Sequence, residues 1–297
     1  MTTKIKAKKG KIEDIIDNLK VGALFPTPSF IIKDGHMESN QSSKAIFRHF
    51  DIKSDKSIQI EGEGKFKIDA EKIMKVIQKL KPEDMVTITF DDNETLVNGP
   101  RMRFKTTLMV PEEDELFSKI PFQFKSLEGS NNGGKYPHVT DGTIPLDTHF
   151  VLGPLELKEI VSYGKIVDLD KYTFKVDNGD VVVLVGEADS MKDHVQLKPK
   201  VRVEHSKEKM FVTFTHGIVD LAPVIKTDLD IYIKDNNKPG FFAEKTGNRN
   251  FMVVVPPVME EDEPEVAEEP KEEPKKEENQ EETKEEKVES TEDEEFF

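Results

Sequence analysis

One pattern recurs four times along the chain and limits what it can fold into: a short amphipathic helix followed by three or four strands. In KIEDIIDNL, Ile12, Ile15, Ile16 and Leu19 stand at i, i+3, i+4 and i+7, the spacing of one helical face. AEKIMKVIQKLK repeats the pattern with Ile73, Val76, Ile77 and Leu80, behind Asp69 as its cap. PLELKEIVSYG gives a third helix, and GIVDLAPVIK a fourth through Ile218, Leu221, Ala222 and Ile225. A helix with one apolar stripe must bury it against another element, so repeated helix-plus-strands units point to an α+β architecture built from internal repeats.

The strands show the two-residue alternation of half-buried sheet. SFIIKDGHMESN reads as a hairpin about Asp34-Gly35; AIFRHFDI and SIQIEGEGKFKI alternate; MVTITF, a turn at Asp91 to Glu94 and RMRFKTTLM close the first half. HFVL, KYTFKV, the Asn178-Gly179 turn, DVVVLVGEA, VQLKPKVRVEH, KMFVTFTH, DLDIYIK, GFFAEK and FMVVVPP give the second half. Acidic, Gly-rich and Pro-rich pieces interrupt both periods in between. The expected domains are therefore 1–110 and 148–259, each holding two helix-plus-antiparallel-strands units, joined by a connector over 111–147. Residues 260–297 are Glu, Lys and Pro with almost no apolar side chain, and are expected to form a disordered acidic tail.

The formal charge of -16 has to be divided along the chain before it says anything about partners. Of 59 acidic and 43 basic residues, 20 and 5 fall in 260–297, which leaves 39 and 38 for residues 1–259. The body is almost neutral, so the distribution of charge decides. On the second helix Lys72, Lys75 and Lys79 recur at i, i+3 and i+7 away from the apolar stripe, Lys81 follows, and only Glu71 dilutes the face. A one-sign stripe of this kind suits either plain solvation or contact with phosphates. Lys11 and Lys20 flank the first helix, Lys158 lies on the third with Lys165 just beyond it, and Lys226 ends the fourth.

No residue constellation supports an enzyme. There is no Cys, which removes disulfides, thiolate metal sites and a cysteine nucleophile. Gly129 to Lys135 satisfies part of a phosphate-loop pattern, but Tyr136 replaces the Ser/Thr that would bind magnesium and Pro137 opposes a following helix. His36, His49, His138, His149, His194, His205 and His216 fall on turns and strand ends without metal-site spacing. No cofactor or metal is expected. The N-terminus lacks an apolar signal core and no stretch reaches the length of a bilayer span, so an intracellular protein with no membrane partner is expected. Its compartment would be the cytoplasm or nucleoid of a prokaryotic or virus-infected cell, or a nucleus.

The whole of residues 4–259 resembles the DNA sliding clamps of the proliferating cell nuclear antigen (PCNA) family. FIIKDGHMESNQSSKAIF is similar to the clamp hairpin and its turn, IDAEKIMKVIQKLKPEDMVTI to the family's helix and strand, and FMVVVPPVMEED to its closing strand. The resemblance implies a two-domain clamp fold, and a ring of six such units around sequence-independent double-stranded DNA, hence a homotrimer joined head to tail. The lysines named above would then face the duplex. It also implies that the joining edges are RMRFKTTLM of one subunit and DVVVLVGEA of the next; their alternative is ordinary internal or covered strand. Such a ring tethers DNA polymerase and other replication and repair proteins and is opened by a separate clamp loader.

By the same resemblance, clamp-binding peptides would dock on Leu116, Phe117 and Ile120 of the connector and on Pro256, Pro257 and Val258. Lys44 stands where the family has His, and Pro256-Pro257 where it has Ala-Pro, so the pocket accepts a different peptide on this reading. The chain ends in Phe296-Phe297, which matches the final pair of clamp-binding peptides and is a docking candidate; a plain solubilising tail is the alternative. Three rival functions remain: a monomeric open-face polymerase processivity subunit, a single-stranded-DNA-binding protein with an acidic docking tail, and a scaffold that never touches DNA. The lysine stripe has no aromatic stacking platform, which tells against single-strand binding.

Overall fold

The computed structural model describes residues 2–43, 46–91, 93–111, 121–126, 135–139, 143–167, 171–186, 194–206, 209–215, 217–235 and 237–258. In the first half, β1 (Thr3–Lys8) leads into α1 (Lys9–Lys20), and β2 (Ser29–Lys33), β3 (His36–Ser43), β4 (Ile46–Lys53), β5 (Ile58–Glu61) and β6 (Gly64–Lys67) follow. Then come α2 (Ala70–Ile77), β7 (Met85–Asp91), β8 (Glu94–Gly99) and β9 (Met102–Thr107). The connector contributes β10 (Phe122–Ser126), β11 (Lys135–Val139) and β12 (Ile144–Pro145). In the second half, β13 (Thr148–Leu152) leads into α3 (Pro154–Val167), then β14 (Tyr172–Asp177), β15 (Asp180–Gly186), β16 (His194–Leu197), β17 (Val201–His205) and β18 (Met210–Phe214). After α4 (Gly217–Leu221), β19 (Leu229–Ile233), β20 (Gly240–Thr246) and β21 (Arg249–Val255) finish the described chain.

The strands form antiparallel sheets that do not respect the division into halves. A five-stranded sheet, β5-β1-β7-β8-β9, belongs to the first half, and a four-stranded sheet, β16-β15-β14-β18, to the second. Between them a nine-stranded sheet, β17-β13-β19-β20-β21-β4-β3-β2-β6, takes strands from both. The halves meet where β21 pairs with β4, from Arg249↔Ile52 to Val254↔Phe47. On the helix-facing side of this seam Phe50, Phe251, Val253 and Val255 enter the main core; on the other side Phe47 and Val254 pack with Phe122, Val139, Leu146 and Phe241 beneath the three-stranded connector sheet β10-β11-β12.

Local expectations hold where local sequence dictates the backbone. Asp34 and Gly35 (φ 51° and 70°), like Asn178 and Gly179 (50° and 83°), adopt the two consecutive positive φ values that a tight hairpin turn needs. Ile12, Ile15, Ile16 and Leu19 are buried as their spacing predicts, as are Ile218, Leu221, Ala222 and Ile225. The Asp69 carboxylate accepts from Lys72 N at 2.9 Å and caps α2.

Other expectations need correction. The second helix ends at Ile77, not Lys81; Lys79 N and Leu80 N donate to Val76 O and Ile77 O, i→i−3 bonds that tighten its last turn ahead of Pro82. Met74, not Val76, completes its buried face. The third helix runs on to Val167, so Lys165 is inside its last turn. The fourth is five residues long, because Pro223 has no N–H to extend it, and the rest of its apolar set is buried from the turn that follows. Residues 95–99, to which the pattern assigns no element, form β8 together with Glu94, which it places in the turn.

Two segments expected as continuous strands each divide between sheets. VQLKPKVRVEH breaks at Pro199 into β16 in the four-stranded sheet and β17 in the nine-stranded one. SIQIEGEGKFKI breaks into β5 and β6 at Gly62, whose φ is 86° and where a Cβ would fall 2.7 Å from Thr3 Cα. Proline cannot donate a ladder hydrogen bond, and glycine permits the turn and the close approach.

Candidate nucleic-acid interface

α1 packs on β1 and β7, and α3 packs on β15 and β16. α1 and α2 pack side by side, and the start of α1 is tied to the turn after α2 by Lys9 N donating to Asp84 O at 2.8 Å. A shallow depression of about 600 Å³ lies between them, lined by Lys8, Lys11, Asp14, Met74, Gln78 and Lys226 among others. The second half meets α1 at two points: Lys226, in the segment after α4, has its Nζ 3.9 Å from Asp14 in the middle of α1, and Asp220 of α4 faces Gly22 just past its end.

The lysines expected to face DNA lie on these helices or just beyond them and are exposed, apart from the half-buried Lys20. They are not equally available. Lys72 is 2.9 Å from Asp69 and Lys75 is 3.7 Å from Glu71, so two carboxylates, not one, dilute the α2 stripe. Burial raises the Asp69 carboxyl, but the Lys72 hydrogen bonds and the Lys72 and Lys75 charges outweigh it, and its pKa is lowered overall. Lys20 is 4.0 Å from Asp17, and Lys226 donates to Pro223 O at 3.0 Å beside Asp14. Lys11, Lys79, Lys81, Lys158 and Lys165 have no carboxylate within ion-pair distance among the described residues.

α1 has a mixed face: Glu13, Asp14 and Asp17 alternate with its cations, and Glu13 pairs with Lys9 at 3.1 Å. Burial, reinforced by Asp14 and Glu13, raises the Asp17 pKa against the pull of Lys20 and Lys226. The α2 pairs, whose lysines are exposed, contribute little to stability and are exchanged for other anions at small cost, whereas the α1 pairs are partly buried. α3 adds Lys158 and Lys165 between two exposed aliphatics, Leu155 and Ile166.

Of the two strands expected to join subunits, one is a sheet edge and the other is not. β9, which holds RMRFKTT, is an edge strand of the five-stranded sheet. DVVVLVGEA is not an edge: β15 is flanked by β14 and β16, and the free edge beside it is β16. Its run of five apolar residues, Val181 to Val185, reflects burial inside a sheet.

Of the expected peptide pocket, Lys44, Leu116, Phe117 and Ile120 lie outside the described residues, as do Phe296 and Phe297. Pro256, Pro257 and Val258 are half-buried, and Val258 N donates to Thr213 O at 2.8 Å, so this segment runs beside β18. The apolar residues of the connector that are described make a local core, with Phe122 buried edge-on against Phe47 and Phe241, and Phe124 partly exposed at its margin.

A polar cluster on the connector-facing side of the seam went unread in the sequence. Asp51 on β4 lies 3.1 Å from His49 Nε2 and 3.4 Å from His36 Nε2, and accepts from Asn250 Nδ2 of β21 at 2.9 Å. Burial raises the Asp51 pKa, but these hydrogen bonds and the His49 charge bring it down to about 2. Period-two alternation puts His49 and Asp51 on one face, but nothing local announces Asn250. Among the described residues no group of His, Asp or Glu is placed to hold a metal ion, and no helix is long and apolar enough to cross a membrane.

No family model matches the sequence, and no curated protein matches it. Solved structures do. PCNA from Entamoeba histolytica aligns with a TM-score of 0.66 at 14% identity, over 87% of this chain and 99% of that one. PCNA from A. fulgidus, solved with the C-terminal region of FEN-1 bound, aligns at 0.61 and 13%, over 87% and 99%. A putative DNA polymerase III beta subunit from Eubacterium rectale aligns at 0.62 and 12%; 86% of this chain covers 65% of that longer one. The chain has the fold of the DNA sliding clamps.

Proposed function

We propose that this chain is the subunit of a DNA sliding clamp, a non-catalytic ring of three copies that encircles duplex DNA and tethers a polymerase. The observation that carries the reading is the relation between the seam and the free edges. β21, the last strand of the second half, pairs with β4, the third strand after α1. The counterparts of these two strands are β9, the last strand of the first half, and β16, the third strand after α3; both are sheet edges. Repeating the β21–β4 pairing between molecules joins β9 of one copy to β16 of the next, a heterologous contact that closes on itself if the angle is right. Long unpaired edges are otherwise a liability that proteins cover or blunt.

In such a ring the helices face the hole, and Lys11, Lys79, Lys81, Lys158 and Lys165 meet phosphates first, with Lys20, Lys72, Lys75 and Lys226 released from weak ion pairs. Phosphate contacts fix position without reading sequence, which is what sliding requires. Replication and repair partners, a clamp loader among them, would dock by short peptides beside the connector and Pro256 to Val258; that the A. fulgidus protein was solved with the C-terminal region of FEN-1 bound supports a peptide partner. Phe296 and Phe297 are a further docking candidate, tested by deleting residues 260–297 and measuring the affinity of a clamp-binding peptide; an unchanged affinity removes that role.

Light scattering coupled to size-exclusion chromatography tests the ring. The expected result is a trimer retained on nicked circular duplex and lost from linear duplex; a monomer that stimulates polymerase equally on both supports the open-face alternative. Replacing Lys72, Lys75 and Lys79 by Ala should weaken clamp-stimulated synthesis with the fold intact. The salt dependence of binding should flatten by about 0.9 in log–log slope for each phosphate that the variant no longer neutralises. Unchanged stimulation and slope would remove this face from the assignment.

A further inference from the structure

The C-terminal end of α1 is held by a buried charge. Arg48 projects from the helix-facing side of β4, the seam strand, and is fully buried. Its Nη1 donates to Leu19 O at 2.5 Å and Asn18 O at 3.3 Å, the last carbonyls of α1. Its Nη2 donates to Ser39 Oγ at 2.6 Å and Gln41 Oε1 at 2.7 Å on β3, and its guanidinium carbon is 4.9 Å from the centre of the Phe25 ring. All of these acceptors are neutral, and burial pushes Arg48 down to about 9, which leaves it a cation at neutral pH. A buried cation without a carboxylate is expensive, and the negative end of a helix is what it is offered here instead.

The backbone at the same point is strained. Val21, the residue after α1, has φ 43° and ψ 80°, a left-handed conformation that β-branched residues avoid. Gly22 follows at φ 60°, and a Cβ there would fall 1.9 Å from Asp220 Oδ1 of α4. Strain of this kind persists only where the surroundings over-determine it. The surroundings here are the seam strand from one side and the second half's α4 from the other.

We infer that Arg48 is a positioning residue: its partners all lie in the first half, and by holding the end of α1 on β3 and β4 it sets the surface at Gly22 that Asp220 of the second half's α4 abuts, and so the angle between the two halves. Its consequence for assembly rests on the ring reading: a head-to-tail ring closes only if each joint holds one angle, and a variable joint gives open or mixed assemblies. β16, in the place of β4 at the proposed junction between copies, has only four residues and no arginine, so that junction lacks the anchor.

The chain has no cysteine, so Cys in place of the exposed Gln59 on β5 and the exposed Lys175 on β14 (Gln59→Cys, Lys175→Cys) gives two clean spin-label sites, one per half. Labelled protein diluted into unlabelled protein reports the distance within one chain by pulsed electron resonance. The unsubstituted chain should give one narrow distribution. Arg48→Met should broaden it at least about twofold with the circular dichroism spectrum retained, and Arg48→Lys, which keeps the charge with fewer donors, should broaden it less. A purely structural role lowers the melting temperature and leaves the distribution unchanged. That result, in whichever variant folds, overturns the inference. If the unsubstituted chain is a monomer the ring reading fails, and the distance comparison still decides the role of Arg48.

Discussion

The seam strands β4 and β21 and the edge strands β9 and β16 hold equivalent places in the two halves and are treated in opposite ways. At the seam, β4 and β21 pair over six residues with aromatic core beneath them, connector sheet above them and Arg48 and Asp51 bridging to neighbouring elements. At the edges, β9 shows alternating half-buried and exposed side chains, with Arg103 and Lys105 outward, and β16 is short. The same pairing is thus permanent in one place and left open in the other. What separates them is the burial on both faces, because strand hydrogen bonds alone are exchanged with water at little net gain.

Truncating the seam core should have the largest effect. Phe251 is fully buried and opposite Phe50, so Phe251→Ala should cost about 3–5 kcal/mol in urea unfolding. Phe104→Ala on half-buried β9 should cost about 1–2 kcal/mol. Equal costs would erase the distinction between the two regions.

A smaller effect is expected at the polar side of the seam. The Asp51 pKa is lowered from 3.8 to about 2, so its stabilisation is complete above pH 4 and is lost as pH falls through 2. Asp51→Asn should therefore cost about 1 kcal/mol at pH 7, discounted for partial solvation, and nothing below pH 2. Unfolding curves at several pH values test this, and a cost independent of pH would assign the loss to packing.

The smallest effect, but the one with a sign, belongs to the edges. Gln196 is exposed on β16, and the proposed junction brings it toward the basic side of β9. Gln196→Lys should weaken assembly and Gln196→Glu strengthen it, each by about 0.5–1 kcal/mol or roughly two- to five-fold. Neither should move the unfolding midpoint of the isolated chain. Sedimentation at low salt measures both, and shifts of the same sign would exclude a β9–β16 junction.

Much of this architecture was legible residue by residue. Asp34-Gly35 and Asn178-Gly179 announce hairpins because few residue pairs tolerate two positive φ values, and the Ile12 to Leu19 spacing announces a buried helical face. Lys72 pairing with Asp69 was also within reach, since both lie within one turn of α2. The covered state of β15 was not, because an apolar run reads alike at an edge and inside a sheet. Nor was the Arg48 site, whose partners at 18, 19, 25, 39 and 41 converge only when α1 lies across the seam.

The sequence by itself determined the repeated units, their turns and caps, the neutral body and the acidic stretch after it, since each depends on φ preference, periodicity or charge within a few residues. Only the tertiary structure decided which sheet each strand joins: Pro199 and Gly62 mark a break, but whether the chain crosses to another sheet there depends on partners far away in sequence. It also decided which lysines keep a free charge and which strands stay open. Pairing of this kind is set by burial on both faces of a sheet, a property that no single segment carries.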